Sequence, residues 1–400
     1  MKSGHEKFRY RFVYKAAHLI SPFLLRKYSF KTDKMKKTDG NYIVMANHLT
    51  EVDMLMVCAA FPEHMYYVAG EHLTRSKTGR RMIWAQNPIF ELKGAPAFDT
   101  IKEIVKRAKD GNNIMIFPEG SRSFNGETEQ LPQNAAKLVK MAGCGLVTYH
   151  IEGGYFVAPR WAYTVRYGPM KGTIKHVLTA KQVAEMSRED LAKLINEDIY
   201  EHAHETQRKN MYSYKGERLA EGIENYLIKC TKCGELDSLA SKDNRFWCTK
   251  CGLKGIYTEQ GFLEGEELRF DNVYDWGKWA EEETEKLVDA QEEGALVFHD
   301  GNIKLYEITD AHESIDLLNG EVDGYTDHLQ VGDYRFDFKD FYAASMLYYG
   351  KTLLFTCNNR HFGITGEQYH AIKYQKLYDG FKKKQAQRRL EAKRQKAMTE

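Results

Sequence analysis

The stretch Tyr42-Ile43-Val44-Met45-Ala46-Asn47-His48-Leu49-Thr50-Glu51-Val52-Asp53 decides the fold. Its first five residues are an apolar, β-favouring run that stops at Asn47-His48, and Asp53 then opens a second apolar run, Met54 to Phe61, that reads as a helix. Working outward, Met65 to Ala69 reads as a strand and Gly79 to Trp84 as helical. Ile101 to Lys109 reads as a helix, and Asn113 to Phe117 as a strand ending at Pro118-Glu119-Gly120. Helix Ala135 to Met141, strand Leu146 to Ile151, and strand-like pieces at Tyr163 to Tyr167 and Gly172 to Leu178 continue the alternation. Strands that alternate with helices imply an α/β fold with a mixed, largely parallel sheet flanked by helices. Ligands of such sheets collect beyond the strand ends, where both polar motifs fall.

Those motifs carry a chemistry. A neutral imidazole, with an ordinary pKa near 6.5, can take a proton from an attacking hydroxyl at physiological pH, which makes His48 a candidate general base. A carboxylate on its other ring nitrogen fixes the tautomer and stabilises the imidazolium, and Asp53, five residues on, can turn back to reach it. Taken alone, that spacing is better read as a strand-terminal histidine bonded to backbone and an N-capping aspartate. The second block, Phe117-Pro118-Glu119-Gly120-Ser121-Arg122-Ser123, shifts the balance. Glu119 and Arg122 sit in a Gly-containing turn after a buried strand, where backbone N–H groups and a guanidinium can face a phosphate. Glu119 can orient Arg122 or hold an acceptor hydroxyl. Base, orienting carboxylate and anion-binding cation together suit the transfer of an acyl group from a thioester to a hydroxyl.

These residues resemble the glycerolipid acyltransferase family, in particular the bacterial 1-acylglycerol-3-phosphate acyltransferases, over about residues 10 to 210. Asn47-His48 with Asp53 is similar to that family's catalytic motif, and Phe117 to Ser123 to its acceptor-binding motif. The resemblance implies His48 as base and Asp53 as its partner. It also implies Glu119, Gly120 and Arg122, within a block that includes Ser121, as the acceptor site, and acyl-CoA or acyl-carrier protein as donor. The acceptor it implies is a lysophospholipid or glycerol-phosphate-type molecule. The family's middle motif looks like Gly94 to Thr100, but Thr100 stands where an arginine is usual, and Lys93 is the candidate replacement cation. The fourth motif, a Pro-containing strand, is degraded at Leu146 to Ile151, which holds no proline. The departure at Thr100 motivates a different reading, an inactive lipid-binding scaffold that recruits a partner through its C-terminal domains. Retention of His48, Asp53, Glu119 and Arg122 together weighs against it.

The chain's 400 residues exceed what one core usually organises. No stretch approaches the roughly 18 uninterrupted apolar residues of a membrane-spanning helix, and Arg9, Arg11 and Lys15 break any secretory signal. The expectation is a cytoplasmic protein, peripheral at the inner face of the cell membrane. The net charge of +2 conceals basic ends: only Glu6 and Asp33 are acidic in the first 37 residues, and Lys382 to Lys396 repeats the bias. Phe8, Phe12, Ala16, Leu19 and Phe23 recur at helical spacing, so a helix from Phe8 to Ser21 can lie on anionic lipid, with Pro22 ending or kinking it. A helix that merely docks on the next domain would show the same stripe.

Cys230-x-x-Cys233 and Cys248-x-x-Cys251, with Gly234 and Gly252 just after each pair, read as two knuckles that place four thiolates around a structural Zn2+. With four protein ligands, no position is left for a catalytic water. Cys58, Cys144 and Cys357 read as core residues. Nucleic-acid binding by this ribbon is disfavoured, since its lysines have few aromatic companions beyond Phe246 and Trp247. Trp276 to Ala290 reads as a helix. Short strands at Ala295 to Phe298, Ile303 to Ile308, Tyr334 to Phe338, Leu353 to Thr356 and His361 to Ile364 follow, with a closing helix from Gln368. That order suggests a small antiparallel β domain similar in shape to a pleckstrin-homology-like barrel, a module suited to lipid or a protein partner. The expected division is a basic surface segment 1–40, an acyltransferase domain 41–215, a zinc ribbon 222–260, a β-rich domain 270–380 and a basic tail 381–400.

Overall fold

The computed structural model describes residues 4–75, 86–94, 97–131, 134–309 and 313–399. The helix expected over Gly79 to Trp84 lies outside the described residues. The chain opens with α1 (Gly4–Lys27), β1 (Phe30–Thr32), β2 (Tyr42–Ala46), α2 (Asp53–Ala60) and β3 (Met65–Gly70). It continues through β4 (Ile89–Glu91), α3 (Phe98–Lys109), β5 (Asn113–Ile116), α4 (Asn134–Ala142), β6 (Gly145–Glu152), the single turn α5 (Gly154–Val157) and β7 (Met170–Leu178). Helices α6 (Ala180–Glu185), α7 (Arg188–Ile199) and α8 (Ala203–Asn210) follow.

One sheet takes the order β1-β7-β6-β2-β5-β3-β4. Its neighbours pair in parallel except β6 with β7. β2 lies at the centre, and all five of its residues are buried, as a strand covered on both faces requires. Alternation sorts those side chains: Val44 and Ala46 join a core with Met56, Val57 and Phe61, whereas Ile43 and Met45 join a second core with Ile104, Val139 and Leu191. α2 therefore packs on one face and α3, α4 and α7 on the other, so the sheet is sandwiched by helices as expected.

Two local expectations change. Tyr163 to Tyr167 forms no strand: Tyr167 makes an isolated antiparallel bridge with Lys215, and Arg166 is buried with its guanidinium donating to the carbonyl of Leu219. A buried side-chain clamp takes the place of a backbone ladder there. Pro22 lies inside α1 rather than ending it. The carbonyl of His18, which would have accepted from an N–H at position 22, instead accepts from the Ser21 hydroxyl at 2.9 Å. Tyr14 ties α1 to α2 by donating to the carbonyl of Phe61 at 2.9 Å, while Phe12, Leu19 and Phe23 are exposed.

Beyond this sheet, β8 (Leu239–Lys242), β9 (Arg245–Cys248), β10 (Lys254–Tyr257) and β11 (Leu263–Glu264) form a small antiparallel sheet, followed by α9 (Val273–Asp289). Next come β12 (Leu296–Ile308), β13 (Ser314–Tyr325), β14 (His328–Val331), β15 (Tyr334–Asp337), β16 (Phe341–Leu347), β17 (Thr352–Cys357) and β18 (Arg360–Gly366), and α10 (Ala371–Thr399) closes the chain. These seven strands pair antiparallel in the open order β15-β14-β13-β12-β18-β17-β16, and no ladder among the described residues joins β15 to β16. The two pieces expected at 295–298 and 303–308 are one bulged strand, and β13, β14 and β16 are additional to the expectation. Buried Lys373 of α10 pairs with Asp237 beside the small sheet and with Asp300 of β12 at 2.9 Å, which locks the β domain to its neighbour.

Candidate active site

The parallel ladder between β2 and β6 runs out at Ala46, and a side chain takes over from the backbone at that point. Buried Asn47 donates from Nδ2 to the carbonyl of Ile151 at 2.8 Å and accepts from the N–H of Ile151 at 2.7 Å. The amide imitates one more rung of sheet and fixes where the next residue points. That residue is His48. Its N–H donates to Glu119 Oε1 at 2.7 Å, and its carbonyl accepts from the N–H of Ser123 at 3.2 Å. The loops after β2 and β5 are thereby stitched together.

The His48 ring lies flat on Phe117, with centroids 4.1 Å apart and planes 9° from parallel. Its Nδ1 is 3.0 Å from Asp53 Oδ2. The same oxygen accepts from the N–H groups of Leu49 at 2.6 Å and Thr50 at 2.8 Å, and Oδ1 accepts from the Thr50 hydroxyl at 2.6 Å. Asp53, fully buried, is the first residue of α2 rather than its N-cap, which is Val52. The ring nitrogen that faces this acceptor oxygen carries the proton, and Nε2 presents a bare lone pair. Burial lowers the imidazole's pKa below its usual 6.5; Asp53 opposes this, while Arg122 and Lys93 add to it. The ring is therefore neutral at pH 7 and able to accept a proton.

Glu119 is the second titrating group. Burial pushes its carboxyl up to about 8, against the N–H donors of His48 and Glu129 and with help from the charges of Glu129 and Asp53. Gly120 adopts φ +70°, the left-handed conformation that lets the chain turn back so that its N–H donates to the carbonyl of Phe117 at 3.0 Å. Ser121 and Arg122 follow on the rim of a cavity. Arg122 donates to Glu51, whose side chain is 78% exposed, at 3.0 Å. Lys93 is drawn against the same turn: its ammonium donates to the carbonyl of Gly120 and to Glu91. Thr100, at the family's arginine position, donates instead to the carbonyl of Phe90 at 2.8 Å.

The candidates His48, Asp53, Glu119, Gly120, Ser121 and Arg122 thus converge on two stitched loops at adjacent strand ends, and Lys93, from the segment after β4, reaches them through the carbonyl of Gly120. Sequence reasoning missed the structural partners of these groups. Thr50 completes the Asp53 cage, and Phe117 is the floor under His48. Arg160, nine-tenths buried, donates to the carbonyls of Arg122 and Met346. A lone arginine inside the apolar run Phe156 to Trp161 was the available signal for the last.

The four cysteines form a separate cluster. Cys230 and Cys251 sulfurs are 3.7 Å apart, as are those of Cys233 and Cys248, and all four lie within 4.8 Å of one another. A tetrahedron with metal–sulfur bonds of about 2.3 Å has edges of about 3.8 Å, so the donor set fits Zn2+ in size and chemistry. Gly234 and Gly252 adopt φ +75° and +74°, and their N–H groups close the knuckles on the carbonyls of Cys230 and Cys248.

Residues 27–152 match the family model described as Acyltransferase. Over 169 residues the chain is 23% identical to the 1-acyl-sn-glycerol-3-phosphate acyltransferase of Borreliella burgdorferi, a match spanning 40% of this chain and 65% of that protein. Among solved structures it is similar to the 1-acyl-sn-glycerophosphate (LPA) acyltransferase of Thermotoga maritima, with 22% identity, a TM-score of 0.42, and coverage of 50% of this chain and 81% of that one. His48, Asp53 and the Glu119–Arg122 turn all lie within residues 27–152, the segment of this chain that is similar to the acyltransferases.

Proposed function

We propose that the chain is an O-acyltransferase that moves a fatty acyl group from a thioester donor, acyl-CoA or acyl-carrier protein, to a hydroxyl of a lysophospholipid or glycerol-phosphate-type acceptor. The observation that carries this reading is the His48–Asp53 pair at 3.0 Å, with Asp53 held by three further donors and the imidazole kept neutral by burial. His48 Nε2 takes the acceptor's hydroxyl proton as its oxygen attacks the thioester carbonyl, and the proton leaves with the thiol when the C–S bond breaks. Asp53 steadies the imidazolium that exists in between. Arg122 and the Glu119–Gly120 turn bind the acceptor's phosphate.

Lipid-surface binding by α1 is part of the same reading. Phe12, Leu19 and Phe23 face solvent from a basic helix, an arrangement that costs free energy in water and is relieved at an interface. Among the described residues no helix is long and apolar enough to cross a membrane. Zn2+ in the four-cysteine cluster would supply cross-linking to a small sheet and no chemistry at the acyl centre. The deciding experiment incubates purified protein with labelled acyl-CoA and a panel of lysolipids, alongside His48→Ala. Acceptor-dependent transfer lost in the variant supports the reading; a variant that turns over at the wild-type rate refutes it.

A further inference from the structure

The turn that carries Glu119 and Arg122 is half-buried. It faces a cavity of about 370 Å³ whose opposite wall is formed by β16, through Ser345 and Met346, and by α10, through Gln375 and Lys376. The two halves are physically joined: Arg160, from the loop after α5, donates one guanidinium nitrogen to the carbonyl of Arg122 at 2.9 Å and another to the carbonyl of Met346 in β16. Its plane rests on Phe124, with the guanidinium carbon 4.1 Å from the ring centroid.

The cavity's lining carries carboxylates as well as cations, Glu129 and Asp379 among them, and its cations differ in how they are paired. Lys278 pairs with Glu127 at 3.4 Å and Lys376 with Glu281 at 2.7 Å, so each of these cations is neutralised. Arg160 donates to carbonyls and rests on a ring; the Glu129 carboxylate is near enough to act on it, but no carboxylate is in contact with it among the described residues. Burial pulls its pKa down to about 9, which still leaves it cationic at pH 7. Arg122 is paired with a solvent-exposed glutamate, a weak and displaceable partner. Glu119, with its carboxyl raised to about 8, is largely protonated at neutral pH and does not repel an anion. Across the cavity, Gln375 Oε1 is shielded from solvent and lacks a hydrogen-bond partner. One buried cation with no carboxylate in contact, a second cation on a loose tether and an unmet acceptor oxygen describe a receptacle for a phosphate carried on a hydroxyl-bearing head.

We propose that the acceptor site is shared between the acyltransferase and β domains, with Arg160 as a second phosphate-binding cation and β16 and α10 as the wall against which the phosphorylated head group sits. The proposal rests on the acyltransferase reading for its choice of acceptor, and on the cavity alone for its anion site. It gives the β domain a role in substrate binding. The Thr100 side chain is turned to backbone and Lys93 is engaged by the carbonyl of Gly120 and by Glu91, so Arg160, from another loop, adds a cation to the site.

Two measurements on the full chain test it. Calorimetric titration with sn-glycerol 3-phosphate and with inorganic phosphate is expected to show binding that Arg160→Gln weakens about ten-fold or more, since a charge-assisted hydrogen bond is lost. Kinetics with Ser345→Trp, which fills the cavity from the β-domain side and leaves Arg160 untouched, is expected to raise the KM for lysophosphatidate about ten-fold while the KM for acyl-CoA stays within about two-fold. Should Arg160→Gln lower the thermal midpoint and release the β domain, Ser345→Trp decides alone. Phosphate binding lost in Arg160→Gln by a protein that transfers no acyl group to any acceptor supports the shared site while sinking the enzyme reading. His48-dependent transfer that neither variant alters, or donor and acceptor KM values that move together in Ser345→Trp, overturns the shared site and leaves the enzyme reading standing.

Discussion

Replacing Asp53 by Asn separates charge from shape at the centre of this molecule. Asp53 Oδ2 accepts from His48 Nδ1 at 3.0 Å and from two backbone N–H groups, and Oδ1 accepts from a hydroxyl. An asparagine can keep its carbonyl oxygen in the three-donor position and turn its amide toward Thr50, whose hydroxyl accepts as readily as it donates. The turn survives, and so does the tautomer. What disappears is the negative charge facing the imidazolium as the proton moves. Two unit charges with centres about 4 Å apart, at an effective dielectric constant of about 20, attract by about 4 kcal/mol. At 1.36 kcal/mol per factor of ten this corresponds to a loss of about a thousand-fold in kcat. The assay is release of thiol from acyl-CoA in the presence of acceptor, read with a thiol reagent, with donor and acceptor KM expected to change little. Asp53→Ala is the wrong variant for this purpose, because it orphans the buried N–H groups of Leu49 and Thr50 at about 1–3 kcal/mol each and confounds catalysis with folding. A kcat for Asp53→Asn within ten-fold of wild type would refute the role assigned to the carboxylate.

Further outcomes follow from the same geometry. Because burial lowers the His48 pKa, the acid limb of kcat/KM should lie below pH 6.5; a limb above it would contradict a buried imidazole base. Glu119 ionises through about pH 8, so the KM for an anionic acceptor should climb above that pH in the wild type and stay flat in Glu119→Gln. The stability sign is fixed too: with the folded pKa raised, the proton's contribution is fully present below 4.5, declines as pH rises and is gone above about 8. Urea melts of wild type and Glu119→Gln across that window should converge at low pH and diverge only if the shift is real. Changing Cys230 and Cys233 to Ser should remove bound zinc, measured by plasma mass spectrometry, and lower the thermal midpoint; unchanged metal content would count against the cluster as a zinc site. Deleting residues 1–27 should cut co-sedimentation with anionic vesicles, and an unaltered bound fraction would remove α1 from the lipid interface.

The chain's local sequence settled what its short-range physics could settle. The run from Tyr42 to Ala46 had to be a strand buried on both faces, because five consecutive apolar residues leave no polar side to expose. Asp53 could reach His48 because five residues of tight turn can bring their side chains together. The cysteine spacing carried its own geometry for the same reason. Where long-range contacts competed, local reading failed. β13 was unreadable because its partly polar pattern becomes a strand only between β12 and β14, and Pro22 fails to end α1 because a neighbouring serine satisfies the stranded carbonyl. Arg160 sits 38 residues from Arg122 and 186 from Met346, and only folding brings it to bridge them. Spacing along the chain allowed the contact between His48 and Asp53, since a turn is a local object. The cavity beside them is made of groups with no sequence relation to one another, so the packing of distant surfaces alone could decide it.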